Sequence, residues 1–172
     1  MDMDGTFAVL FLVAGLTDMS ANYCQSGCLA QSATQARMAV SAGDVQFQDR
    51  SIGSEIYGRY SMNTRFGPFQ PAVGFSMTDD NASWLGLGAT WSTSFLGDKA
   101  YVELHLMPGI YAKGDGPNLG HDLEFRSGIE LGYQARNGWR YGLSYDHRSN
   151  ADIAAVNPGL ETLQFRVSIP VN

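Results

Sequence analysis

From about residue 50 to the C-terminal end, apolar and polar side chains alternate with a period of two, and this periodicity constrains the chain more than any other feature. Successive side chains on a strand point to opposite faces, whereas a helix repeats every 3.6 residues, so the pattern calls for strands. Leu85, Leu87, Ala89 and Trp91 alternate with Gly86, Gly88 and Thr90; Val102, Leu104 and Leu106 alternate with Glu103 and His105. Leu123, Phe125, Ile129, Leu131 and Tyr133 form one phase of a further run, with Glu124, Arg126, Gly128 and Glu130 in the other. Tyr141, Leu143 and Tyr145 alternate with Arg140, Gly142, Ser144 and Asp146, and Leu163, Phe165, Val167 and Ile169 with Gln164, Arg166 and Ser168. With runs around Ile52–Met62 and Phe66–Met77 and a weaker one around Arg37–Phe47, about eight strands are expected, the number in the smallest common membrane barrels.

Alternation does not by itself say which face is inside. A soluble lipid carrier turns its apolar face inward; a membrane barrel turns it out to lipid. Two features favour the membrane. The polar phase carries both signs, as Glu55, Arg59, Glu103, Glu124, Arg126, Glu130, Arg140 and Arg166, a set that can neutralise itself in a narrow lumen. The connections also alternate in expected length: Asn63-Thr64, Leu96 to Lys99 and Asn137-Gly138 read as short periplasmic turns. Thr78 to Ser83, Lys113 to His121 and Asn150 to Gly159 read as longer extracellular loops. Trp84, Trp91, Trp139, Tyr133 and Tyr145 suit an interfacial aromatic girdle. The expected class is therefore all-β, an eight-stranded antiparallel membrane β-barrel over residues 22–172. Only 16% of the residues are charged, below the roughly 25% of soluble domains. The net charge of −6 argues against a nucleic-acid partner, which would require a basic stripe.

The N-terminus departs from the alternation. Phe7 to Leu16 is a continuous apolar run, shorter than the roughly 20 residues of a membrane-spanning helix and of the length of a secretory signal core. Met19-Ser20-Ala21 offers a cleavage site, so residues 1–21 read as a signal peptide, an atypical one because Asp2 and Asp4 stand where Lys or Arg is usual; a retained apolar arm is the other reading. Cys24 and Cys28 follow closely, and export would favour a local disulfide between them. No second Cys/His cluster accompanies them, so no metal site is expected. Asp79 and Asp80 are expected to be solvated in a loop, His121 likewise, and His105 to face the lumen.

Chemistry concentrates at the last hairpin. His147 and Ser149 are two apart at a strand end and share the apolar phase of Tyr141, Leu143 and Tyr145. Glu161 opens the next strand in the phase of Leu163, Phe165 and Val167. Three polar residues thus interrupt an apolar stripe on adjacent antiparallel strands, where facing side chains come within about 5 Å. Serine becomes a good nucleophile when an imidazole takes its proton, and a carboxylate fixes the tautomer of that imidazole. Asp146 adjoins His147, yet its parity directs it inward with Arg140 and Ser144. Asn150, or the backbone N–H groups just after Ser149, are candidate oxyanion donors.

His147-x-Ser149-Asn150, followed by Asn157-Pro158-Gly159-Leu160-Glu161, resembles the active-site signature of the lipid A 3-O-deacylases, the PagL-type outer-membrane enzymes. The resemblance runs from about Leu123 to Pro170. It implies an eight-stranded barrel in the bacterial outer membrane, with a Ser149–His147–Glu161 triad on its outer wall and Asn150 as a donor at the oxyanion. It also implies hydrolysis of the 3-O-linked acyl chain of lipid A within lipopolysaccharide, with neither metal nor cofactor. A homodimer is left open. The competing function is a non-catalytic barrel that binds lipid or a partner protein and keeps a vestigial site. The chain departs from the usual barrel pattern in ending Pro170-Val171-Asn172, without a terminal aromatic residue.

Overall fold

The computed structural model describes residues 5–171; Asp2 and Asp4, on which the acidic leader was read, and Asn172 lie outside the described residues. The elements in chain order are α1 (Thr6–Asp18), a π-helical and a 3-10 turn (Met19–Tyr23, Cys24–Ser26), then β1 (Gln31–Ala33), β2 (Ala36–Phe47), β3 (Arg50–Ser61) and β4 (Thr64–Phe66). They continue as β5 (Gln70–Thr78), β6 (Ser83–Phe95), β7 (Ala100–Ala112), β8 (Leu123–Gln134), β9 (Arg140–Ser149) and β10 (Leu160–Val171). Eight of the strands close into an antiparallel barrel in the order β10-β2-β3-β5-β6-β7-β8-β9. Closure leaves the barrel no sheet edge, so each of its eight strands finds hydrogen-bond partners on both sides, as a hydrocarbon solvent requires.

The two phases sort as the alternation predicted. Ile56, Phe75, Leu85, Leu87, Leu143 and Phe165 are exposed on the outer wall. Inside, Glu55, Arg59, Glu103, Arg126, Glu130, Asp146, Arg148 and Arg166 are buried. The charges neutralise one another: Arg126 reaches Glu55 at 2.7 Å and Asp146 at 2.8 Å, Arg166 reaches Glu130 at 2.6 Å, and Arg148 pairs with Glu55 and Arg59 with Glu103. The Arg126 guanidinium also lies 3.9 Å from the ring centroid of Tyr57, a cation–π contact. His105 is in the lumen as expected, 3.7 Å from Asp146.

Trp84 overturns its assignment to the interfacial girdle. It shares the inward phase of Gly86 and is fully buried in the lumen, its Nε1–H donating to the Glu124 carbonyl at 3.3 Å. The indole fits because Gly86 and Gly109 lack side chains; a Cβ on either would lie within 2.5 Å of the ring. Trp139 and Tyr133 are exposed on the outer wall, as a girdle requires.

The connections follow the expected rule only in part. The barrel ends at β9/β10 and β7/β8 carry the long loops, 150–159 and 113–122. At the same end, however, β2 and β3 are joined by the tight turn Gln48-Asp49, both with positive φ. At the opposite end Asn63-Thr64 is not a hairpin turn, because Thr64 starts β4, which pairs with β1 and lengthens that connection. Asp79 and Asp80 are turn-forming groups: Asp79 accepts the Ser54 N–H at 3.0 Å, and Asp80 accepts the Ala82 N–H and the Thr78 hydroxyl.

The N-terminal segment lies outside the barrel. With its following turns, the helical run extends over Thr6–Ser26, long and apolar enough to cross a membrane, with mean hydropathy 1.4. The apolar core alone appeared too short because the helix does not stop at Leu16. α1 rests against β6, β7 and β8. Phe7 meets Tyr145 with ring centroids 5.7 Å apart, Phe11 meets Phe69 at 5.4 Å, and Asp18 accepts the Trp91 Nε1–H at 2.9 Å. Cys24 and Cys28 form a disulfide just beyond.

Candidate active site

The register of β9 against β10 places Glu161 directly opposite His147, and Leu160 opposite Arg148. Both partners lie on the outer face, and His147 Nδ1 is 3.1 Å from Glu161 Oε1. With a carboxylate as acceptor, Nδ1 carries the hydrogen and the tautomer is set. Asp146, the adjacent acid, points into the lumen and bonds Arg126 and Arg166 there, as parity requires.

Ser149 is two residues along β9 on the same face as His147, at the strand terminus. Gly159, whose φ is +70°, immediately precedes Leu160, the first residue of β10 and the end of its register with β9. A Cβ at Gly159 would stand 2.9 Å from His147 Cε1, so the imidazole lies over the glycine, leaning toward the barrel end that carries Ser149. The geometry thus gathers His147 and Glu161 into one hydrogen-bonded pair and sets Ser149 beside it in phase.

Asn150 is fully buried and its donors are occupied. Its Nδ2 donates to the carbonyls of Leu119 (2.9 Å) and Val156 (2.8 Å), and its backbone N–H donates to Asn157 Oδ1 at 3.0 Å. It therefore ties the 113–122 and 150–159 loops together above the site. Ala151 and Asp152 follow with φ of 54° and 59°, which turns the chain sharply just after Ser149. His121 lies in the first of these loops, exposed, its Nδ1 accepting the Leu123 N–H at 2.9 Å.

A half-open cavity of about 340 Å³ adjoins Ser149. Leu106, Phe125 and Ser127 line it from the barrel wall, Ala151 from the loop, and Gly5 and Ala8 from the N-terminal segment. At this end the outer phase is covered: His147 is 2% and Ser149 7% exposed, against 61% for Leu143 on the same face. Ser127 was not singled out from the sequence. β8 sets it directly across from His147, and its signal was a lone hydroxyl within the apolar phase of Phe125 and Ile129. Among the described residues no cluster of His, Cys, Asp and Glu suits a metal ion.

The family model described as lipid A 3-O-deacylase (PagL) matches residues 54–170. The chain belongs to this family. Its fold is similar to the crystal structure of the outer membrane enzyme PagL (20% identity, TM-score 0.64), covering 78% of this chain and 99% of that one. It is also similar to the Neisserial surface protein A (13% identity, TM-score 0.53), covering 83% of this chain and 99% of the other. A designed transmembrane β-barrel is a further match at 11% identity and TM-score 0.58, with 81% and 98% covered. No curated protein sequence matches the chain. The protein is thus an outer-membrane enzyme of lipid A 3-O-deacylase type, and its exposed apolar wall faces the lipid.

Proposed function

We propose that the chain hydrolyses the 3-O-linked acyl ester of lipid A in the outer leaflet, with Ser149 as nucleophile, His147 as general base and Glu161 as orienting acid. The observation that carries this reading is the His147–Glu161 pair on the lipid-facing wall, in phase with a serine that lines a cavity. With Nδ1 held by Glu161, Nε2 takes the proton as Ser149 Oγ attacks the acyl carbonyl. Collapse of the tetrahedral intermediate returns that proton to the departing sugar hydroxyl and leaves an acyl-serine. Water, deprotonated by the same nitrogen, then releases the fatty acid and restores Ser149. No metal or cofactor is needed for these steps.

Donors for the oxyanion come from the turn after Ser149. Asn150 was the candidate, but its side-chain donors are committed to Leu119 and Val156. In this reading Asn150 fixes the loop, and the backbone N–H of Ala151, which lines the same cavity, faces the developing charge. The site's end of the barrel carries the two long loops, as extracellular ends do, so the ester bonds of outer-leaflet lipopolysaccharide lie at its depth.

The test is mass spectrometry of lipid A from cells producing the protein. Wild type removes one acyl chain, and Ser149→Ala, inserted and folded, removes none. The second reading, a lipid-binding barrel with a vestigial site, is favoured by the low exposure of His147 and Ser149 and by Gly5 and Ala8 standing at the cavity beside Ser149. An unchanged acyl pattern with correctly inserted wild-type protein selects it.

A further inference from the structure

We propose that Asp44, Gln46 and Ser51 form a headgroup subsite beside the candidate active site, one that accepts hydrogen bonds from sugar hydroxyls and disfavours a phosphate. The inference rests on the esterase reading above and adds which headgroup substituents the site admits.

The outer wall changes character at β10. Gln46 of β2 lies directly opposite Glu161 on one side, as His147 of β9 does on the other, and Ser51 of β3 lies opposite Gln46. Asp44 is one row deeper in the outward phase of β2, opposite Leu163. Below it that phase is apolar, as Met38, Val40 and Ala42, so polarity begins at Asp44 and continues toward the strand end. On the far side of β9, the outward phase of β8 ends apolar, at Phe125 and Leu123. A lipid with its ester at Ser149 therefore meets apolar wall toward β8 and a polar surface toward β2. Two strand spacings of about 4.8 Å separate β9 from β2. The sugar that carries the ester then lies over β10 and presents its next substituent to β2 and β3.

The three side chains are organised before any ligand arrives. Gln46 Nε2 donates to Asp44 Oδ2 at 3.0 Å, and the Ser51 hydroxyl donates to Asp44 Oδ1. These donors turn in on the carboxylate. The Gln46 carbonyl oxygen, the Ser51 oxygen and the remaining carboxylate lone pairs are left as acceptors for a ligand. Such a surface suits hydroxyls, which donate, and opposes an ionised phosphate, which only accepts and carries the same charge. Its neighbours add to that charge: Glu161 faces Gln46, and Ser54, opposite Asp44, donates its N–H to Asp79 at 3.0 Å. Arg50, the nearest cation along the chain, pairs with Phe47 in the opposite phase, and Phe47 packs on the lumen cluster. Among the described residues no cation stands in the outward phase of β10, β2, β3 or β5 at this end.

The experiment compares two synthetic 3-O-acylated glucosamine disaccharides in nonionic micelles, one phosphorylated on the anomeric oxygen and one with a free hydroxyl there. A chelator is present to remove divalent cations that would bridge phosphate to carboxylate. For each lipid, kcat/KM is measured with wild type, Asp44→Asn, Asp44→Glu and Gln46→Ala, all checked for a folded barrel by heat-modifiable migration. Wild type is expected to prefer the hydroxyl lipid. Asp44→Asn, which keeps the shape and removes the charge, lowers that preference by about two- to fivefold, the size of one exposed charge–charge interaction, and Asp44→Glu retains it. Gln46→Ala raises KM more for the hydroxyl lipid than for the phosphorylated one. Wild type that cleaves both alike, or favours the phosphorylated lipid, overturns the proposal, and so does an unchanged ratio in Asp44→Asn. Equal losses on both lipids also overturn it, because they mark a merely structural role. Wild type that cleaves neither lipid overturns the esterase reading itself, a failure separate from cleavage of both without preference.

Discussion

The imidazole of His147 needs a flat floor, and Gly159 is that floor. Any larger residue would carry a Cβ 2.9 Å from Cε1 and would also have to hold φ at +70°, a conformation that side chains disfavour. Gly159→Ala is therefore expected to leave the barrel assembled, by its heat-modifiable gel migration, while lowering kcat by on the order of ten- to a hundredfold through a displaced base. Glu161→Gln keeps an oxygen acceptor for Nδ1 but removes the charge that stabilises the imidazolium. Deacylation should fall, yet less than in Ser149→Ala, when both are followed by lipid A mass spectrometry. The outward faces of His147, Ser149 and Glu161 were legible in the sequence because parity alone sets the face of a strand residue. Asn150 was not, since its partners Leu119 and Val156 lie in loops with no period. Trp84 was misassigned despite its parity: its size suggested a membrane interface, whereas the room for it comes from glycines on its own strand and the next. Ser127 carries a readable mark, one polar residue within an apolar phase.

Among the elements, the N-terminal helix bears most directly on catalysis. Gly5 and Ala8 stand beside Ser149, Phe7 packs on Tyr145, and Asp18 bonds Trp91, so in this arrangement the helix occupies wall that an acyl chain would need. Removal of residues 1–21 would uncover that wall and leave Cys24–Cys28 and β1 in place. The intact mass of the protein extracted from outer membranes is expected to correspond to a chain beginning at Asn22. A mass that retains the helix would count against cleavage, and would predict slow turnover by the covered site. The strands of the barrel were legible from alternation, but the docking of α1 was not. A helix apolar on every side carries no stripe to show which surface it meets. The same limit explains β4: three residues pairing with β1 leave no pattern long enough to detect.

For the whole molecule, the lumen and the outer wall are mechanically one object. Arg148 lies between His147 and Ser149 in sequence but points inward to Glu55, which also receives Arg126 and the Gln164 side-chain amide. Glu55 on β3 thus anchors β9 from inside the barrel, while the catalytic candidates stand on the outside of the same strand. Glu55→Gln would leave two arginines in the lumen short of a counter-charge, and breaking a buried pair from one side costs about 3–5 kcal/mol. The variant should unfold at lower urea concentration in detergent micelles, and its deacylation rate should fall earlier on heating than that of wild type, because β9 loses its inner tether. Replacing Arg148 as well, as Glu55→Gln with Arg148→Met, removes one of the orphaned charges and should recover part of the lost stability. If the double variant is instead as weak as the sum of its single changes, the two residues do not act as a pair. The barrel would then hold its catalytic strand by the hydrogen-bond ladder alone.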